Sequence, residues 1–92
     1  MSPDRAADRD TLAQMTDTNA YYLLDLGQLV REAGEQAKKE AASATAEDKI
    51  FQRGRLMAYY EVLSLMQSQA EAFQLPLNDL ALSGLDPDRD LL

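Results

Sequence analysis

The chain contains no cysteine and no histidine among its 92 residues. Without cysteine, neither a disulfide framework nor a thiolate metal site can form. Without histidine, the chain lacks the commonest general base, the commonest transition-metal ligand and the side chain that titrates near neutral pH. Serine hydroxyls have no imidazole to activate them, and no P-loop, GxGxxG or GxSxG motif occurs. We expect that the protein is not an enzyme and needs no cofactor.

Carboxylates are the remaining candidates for a metal site. Four-helix carboxylate sites combine inward Glu residues with Glu-x-x-His motifs, and the histidine is missing here. Glu61 is the only acid close to an apolar stripe of a predicted helix, so it has no second ligand beside it. The sequence therefore predicts no metal site.

Basic residues are scarce: nine Lys and Arg stand against sixteen Asp and Glu, which gives a net charge of −7. Binding to nucleic acid or to anionic membranes relies on basic patches, so we expect neither partner. No apolar run approaches the ~18 residues that a membrane span requires, and the polar start MSPDRAADRD lacks the apolar core of a signal peptide. The simplest expectation is a soluble, cytoplasmic protein.

The apolar residues that are present recur at the helical period along two long stretches. The sequence therefore predicts an all-α fold, in which a long antiparallel helical hairpin and a short C-terminal helical segment form one domain over residues 11–92. The predicted segments are a mobile polar arm at 1–10, helix 1 at about 11–43, helix 2 at about 46–73, and a C-terminal helix at about 78–83 followed by a tail.

The turn between the two helices is predicted at about residues 42–45. Thr45 followed by Asp48 is close to a capping box, with Asp in place of Glu or Gln. Neither Gly nor Pro lies between Lys38 and Asp48. One continuous helix without a hairpin is therefore the alternative.

Helix 2 is apolar over more of its circumference than one partner helix can cover. One stripe consists of Phe51, Ala58, Val62, Leu65, Met66 and Phe73, and further apolar residues extend it around the side. We therefore expect a homodimer in which two hairpins form a four-helix bundle. The candidate self-association or partner surface comprises Arg55, Leu56, Tyr59, Tyr60, Leu63, Met66 and Ala70.

Arg55 projects near the middle of the apolar surface of helix 2. In the simpler interpretation, its aliphatic stem lies along the edge of the core and its guanidinium pairs with Glu35 or Glu40. The alternative is a contact with a partner, because arginine is enriched in interfaces.

Four of the six aromatic residues form two Tyr-Tyr pairs, at positions 21–22 and 59–60. In an antiparallel hairpin, the second pair is expected opposite Gly34 and the first opposite Ala70, so that large side chains meet small ones. Glycine inside a helix is destabilising. The same register places Gly54 opposite alanines near the turn, so we expect it to allow close packing of the two helices there. We interpret all four tyrosines as core or core-rim residues; an aromatic binding patch is the alternative for Tyr21 and Tyr60, which lie toward the polar edges of their helices.

The C-terminal residues 75–92 contain seven Leu and four Asp. Asn78 can cap a short helical turn that Gly84 ends, and Asp86-Pro87-Asp88 is either a turn or one more short helical start. So many leucines favour a tail that packs across the hairpin. A partner-binding segment is the alternative.

Three functions are compatible with these features. The leading hypothesis is a small non-catalytic helical protein that acts through protein–protein contact, as an inhibitor, adaptor or immunity-type protein does. The second is a helical carrier or sensor of a small apolar ligand, with a cavity lined by Tyr22, Met57, Met66 and Phe73. The third and weakest is a DNA-binding regulator.

Overall fold

The computed structural model describes residues 3–92, with side chains described from Asp17 onwards. Its elements are α1 at Pro3–Ala42, α2 at Lys49–Ala72, a 3-10 turn at Leu77–Leu80 and α3 at Pro87–Asp90. No strand occurs in this part of the chain. The predicted all-α helical hairpin with a short C-terminal helical segment is confirmed.

Helix α1 begins eight residues before the predicted boundary at residue 11. Pro3 is its first residue, where the fixed φ of proline suits the first turn and its missing N–H is not needed. The mobile arm at residues 1–10 stays a prediction. Met1 and Ser2 lie outside the described residues.

A turn over residues 43–48 separates the two long helices, so the alternative of one continuous helix is wrong. Thr45 Oγ1 donates to Asp48 Oδ2 at 3.2 Å, and the Asp48 N–H donates to the Thr45 carbonyl at 3.1 Å. The N-cap of α2 is Asp48 and not Thr45, and no side-chain cap bond forms there. The two predicted residues do contact each other, but they close the turn and do not form a capping box.

The two long helices pack through small residues of α1. A Cβ added at Gly34 would lie 3.0 Å from Leu63 Cδ1 and 3.4 Å from Tyr59 Cβ, so the absent side chain is what allows this close approach. Tyr59 of the second tyrosine pair lies opposite Gly34 as predicted, whereas Tyr60 reaches the tail. The predicted packing role of Gly54 is wrong, because no atom of another part of the chain lies within 4 Å of a Cβ built there.

The C-terminal leucines complete the core of the hairpin. The buried cluster combines two residues of α2 with four residues of the tail: Leu63, Ala70, Leu80, Leu82, Leu85 and Leu91. Gly27 of α1 lies so close to the 3-10 turn that an added Cβ would be 1.8 Å from the Leu80 carbonyl oxygen. The expectation that the tail docks on the hairpin is confirmed.

Local conformations give the tail its two short helical elements. The first covers Leu77–Leu80 and is shorter than the predicted segment, because Ala81 adopts a left-handed φ of 57° and ends it. The Asp86 carboxylate then accepts hydrogen bonds from the N–H groups of Asp88 and Arg89 at 3.1 and 3.4 Å, which caps α3. The predicted second helical start at Asp86 is confirmed.

The molecule is elongated, measuring 70 × 22 × 16 Å. Its radius of gyration is 18.3 Å, whereas a compact domain of this length has about 12 Å. Forty residues of α1 extend about 60 Å, against about 36 Å for the 24 residues of α2. Among the described side chains of α1, Leu23 is the first that packs against the core. The preceding part of α1 therefore projects beyond the hairpin.

Candidate functional site

Large apolar side chains remain exposed along one face of the hairpin. This surface, called the open face below, is formed by Tyr22, Leu26, Leu29, Phe51, Val62, Leu65 and Phe73. The aromatic members are the most exposed: Tyr22 at 67%, Phe51 at 69% and Phe73 at 72%. Aromatic residues carry the largest apolar areas that proteins bury, so their exposure marks this face as the candidate functional surface.

In α1, helix geometry places the open face opposite the docked tail. Arg31 Nη1 donates to the carbonyls of Ala81 and Ser83 at 3.1 and 2.9 Å, so this side of α1 faces the tail. Leu29 precedes Arg31 by two positions, which separates the two side chains by about 160° around the helix axis. Leu29 therefore points away from the tail.

The same relation holds in α2. Tyr60 and Gln67 both reach the tail, through hydrogen bonds to the Asp88 carboxylate and the Leu85 carbonyl. Val62 and Leu65 each lie two positions from one of these tail-binding residues, and so point about 160° away from it. The hairpin is thus a layer with the tail on one side and an uncovered apolar surface on the other.

The candidate surface predicted from sequence lies mainly on the packed side of α2. Leu63 and Ala70 are buried within the chain, and Leu56, Tyr60 and Met66 are half-buried against the core. These five side chains are engaged within a single chain, so the area open to a partner lies on the neighbouring stripe. Self-association itself stays a prediction, and the residues available for it are those of the open face.

Arg55 and Tyr59, the other two members of the predicted surface, are half-buried beside α1. The Arg55 guanidinium pairs with the Glu40 carboxylate, as the simpler interpretation expected. Its central carbon also lies 5.8 Å from the centroid of the Tyr59 ring, within the range of a cation–π contact. The arginine therefore joins the two helices near the turn.

The first tyrosine pair does not pack as predicted. Tyr21 and Tyr22 are exposed in the single chain, at 73% and 67%. The interpretation of these two residues as core or core-rim is therefore wrong within a single chain.

A second surface feature is a groove of about 730 Å³ between α2 and the tail. Tyr60 crosses it and donates to Asp88 Oδ1 at 2.5 Å, and this hydrogen bond raises the pKa of the Tyr60 phenol above its ordinary value. The groove is lined by Tyr60, Ser64, Gln67, Ser68, Glu71, Leu75, Leu77, Leu85, Asp86, Pro87 and Asp88. Its charged lining residues are all acidic.

The cavity predicted for a ligand carrier does not form from the four residues named for it. Tyr22, Met57 and Phe73 are exposed, and Met66 is half-buried in the hairpin. None of them lines the groove beside the tail.

Two carboxylates have lowered pKa values because of their contacts. Hydrogen bonds from Gln36 and Arg55 lower the pKa of Glu40. Hydrogen bonds from the Arg89 side chain and the Asp86 backbone hold the pKa of Asp90 well below its usual range. Both shifts favour the ionised carboxylate in the folded chain.

Among residues 3–92, no helix is both long and apolar enough to cross a membrane. The described side chains also bring together no group of three acidic residues that could hold a metal ion. No protein-family model, curated protein or solved structure matches this chain. The functional interpretation therefore rests on the surfaces described above.

Proposed function

We propose that the protein is a small non-catalytic helical protein that acts through protein–protein contact, and that its first contact is with a second copy of itself. The open face is the observation that carries this proposal. Soluble monomers rarely expose contiguous apolar patches above a few hundred Å², and this face extends along both long helices.

The exposed area is of the size that a dimer buries. An aromatic side chain carries about 150–250 Å², so the exposed fractions of Tyr22, Phe51 and Phe73 correspond to about 300–500 Å² for these three alone. The exposed leucines and Val62 add to this area. A standard interface buries about 800 Å² on each partner, which the complete face approaches.

Pairing two open faces forms a four-helix bundle with a tail on each outer side. The apolar side chains of both hairpins then share one core. The tails and their acid-lined grooves remain outside, where a further protein partner can reach them. A net charge of −7 suits a basic surface on such a partner, in the manner of an inhibitor, adaptor or immunity-type protein.

The alternative function, a carrier of a small apolar ligand, has less support because its four candidate residues do not meet in one cavity. A DNA-binding regulator also has little support, because binding to DNA relies on basic residues and both the groove and the whole chain are acidic.

Sedimentation equilibrium of three proteins over a wide concentration range tests the dimer. The variant Leu65→Glu places a charge in the open face, where Leu65 is 64% exposed, and is expected to be monomeric. The matched control Ile50→Glu makes the same change at an exposed apolar residue outside that face, and should dimerise as the natural chain does. A natural chain that stays monomeric, or a Leu65→Glu variant that still dimerises, would refute the proposed contact.

A further inference from the structure

The groove between α2 and the docked tail combines apolar side chains with acidic ones. Among its lining residues, Leu85 and Pro87 are buried and Leu77 is half-buried, so they form the apolar part of the groove. Glu71 and Asp88 are exposed and acidic. The volume of about 730 Å³ lies within the range of about 300–1,000 Å³ that is typical of ligand pockets. The groove is therefore large enough to receive several side chains of a partner.

Hydrogen bonds between α2 and the tail place the lining residues along the groove. Tyr60 donates to the Asp88 carboxylate and Gln67 donates to the Leu85 carbonyl, so the tail runs antiparallel to α2. Asp88 therefore lies near one end of the groove, Glu71 near the other end, and Leu85 between them. From Tyr60 to Glu71 the helix rises about 16 Å. This distance corresponds to about five residues of extended chain.

The acidic residues of the groove are available to cations from outside the chain. Among the described residues, no Lys or Arg lines the groove. Arg89 of the same segment is held by the Asp90 carboxylate and the Gly84 carbonyl. Asp86 and Asp88 accept hydrogen bonds within the described chain through Oδ1, which leaves Oδ2 of each for a partner. An apolar groove with acidic ends is complementary to a basic segment that also carries an apolar side chain.

We propose that the groove binds an extended segment of a protein partner, in which two arginines lie four positions apart with a large apolar residue midway between them. Alternate side chains of an extended chain point to the same side, so all three face the groove. The two arginines are about 13 Å apart along the segment, and their long side chains reach the carboxylates at both ends. The apolar residue then covers Leu85. The inference rests on the proposed function and adds a second contact, on the side of the hairpin opposite the open face.

A library of random 12-residue peptides displayed on phage tests this inference. Selection on the natural chain should enrich peptides that contain the two arginines and the apolar residue at the proposed spacing. The most enriched peptide is then synthesised with a fluorophore, and its binding is measured by fluorescence anisotropy at one fixed ionic strength. Glu71→Lys reverses a charge at one end of the groove and should weaken binding about tenfold or more. Glu47→Lys is the matched control, because it makes the same change at an exposed residue in the turn between α1 and α2, and it should alter the affinity by less than about twofold.

The possible outcomes distinguish this contact from the proposed dimer. The change in Leu65→Glu lies in the open face, so this variant should bind the peptide as tightly as the natural chain does. Loss of binding in Leu65→Glu but not in Glu71→Lys would place the peptide on the open face and overturn the inference. A selection that yields no binding peptide, or only peptides without the paired arginines, would also overturn it. A natural chain that binds the peptide through the groove but sediments as a monomer would refute the dimer alone.

Discussion

Replacing Gly27 with alanine is expected to weaken the contact between α1 and the docked tail. An added Cβ would lie 1.8 Å from the Leu80 carbonyl oxygen and 2.7 Å from its carbonyl carbon. Both atoms belong to the backbone, so relief requires the 3-10 turn to move away from α1. Alanine improves helix propensity by about 1 kcal/mol, whereas overpacking costs about 1–3 kcal/mol. Because the overlap is with backbone, we expect the upper end of that range and a net loss of about 2 kcal/mol.

Gly54→Ala is the matched control for this substitution. Gly54 also lies inside a helix, but a Cβ built there has nothing within 4 Å. The control therefore gains helix propensity without overlap and should be stabilised by up to about 1 kcal/mol.

Thermal unfolding followed by circular dichroism compares the two variants at one fixed protein concentration, since the Tm of any protein that self-associates depends on its concentration. About 1 kcal/mol shifts the Tm of a domain of this size by roughly 4–8 °C. Gly27→Ala should unfold about 8–16 °C below the natural chain and Gly54→Ala a few degrees above it. Equal stabilisation of both variants would refute the close packing of the tail on α1.

Three further predictions concern polar contacts of the tail. Arg31→Ala removes two charged hydrogen bonds to tail carbonyls. The free energy of unfolding in urea should therefore fall by about 1–3 kcal/mol. An equal loss in the exposed control Arg53→Ala would contradict this. Spectrophotometric titration should show a tyrosine that ionises above the ordinary pH of a phenol, because the tail carboxylate raises the pKa of Tyr60. Tyr60→Phe should remove that component. Since Arg89 holds the pKa of Asp90 below its ordinary 3.8, the stability from this contact is present above that pH and lost as the pH falls below it. The free energy of unfolding of Asp90→Asn should therefore fall less steeply than that of the natural chain as the pH is lowered. An unchanged pH dependence would argue against the contact.

The architecture could be predicted because its signals are local. Helical periodicity, the turn near Thr45 and the leucine-rich tail each follow from short stretches of sequence. The register at Gly34 followed from the antiparallel hairpin alone, since a small residue is needed where Tyr59 packs. Each of these local signals is compatible with few alternative structures, and the structure confirms the predicted ones.

The position of the open face could not be predicted in the same way. Leu63 and Leu65 belong to neighbouring apolar stripes of one helix, yet the first is fully buried and the second is exposed. Leu63 lies against both Gly34 of α1 and the docked tail, whereas Leu65 points to the side of the hairpin that neither covers. Gly27 and Gly54 are likewise indistinguishable as helix-interior glycines until the path of the tail is known. The surface predicted from the sequence lies on the stripe that α1 and the tail cover, so most of it is buried or half-buried within the chain.

The crossing of the tail over both helices has a consequence for the order of assembly. The contact between Glu40 and Arg55 joins residues 15 positions apart, whereas Arg31 and Ala81 are 50 positions apart. The entropy lost on closing a loop grows with the logarithm of its length, so the longer closure costs about 1 kcal/mol more. The turn end of the hairpin should therefore form early in folding, with the tail closing over the preformed helices afterwards.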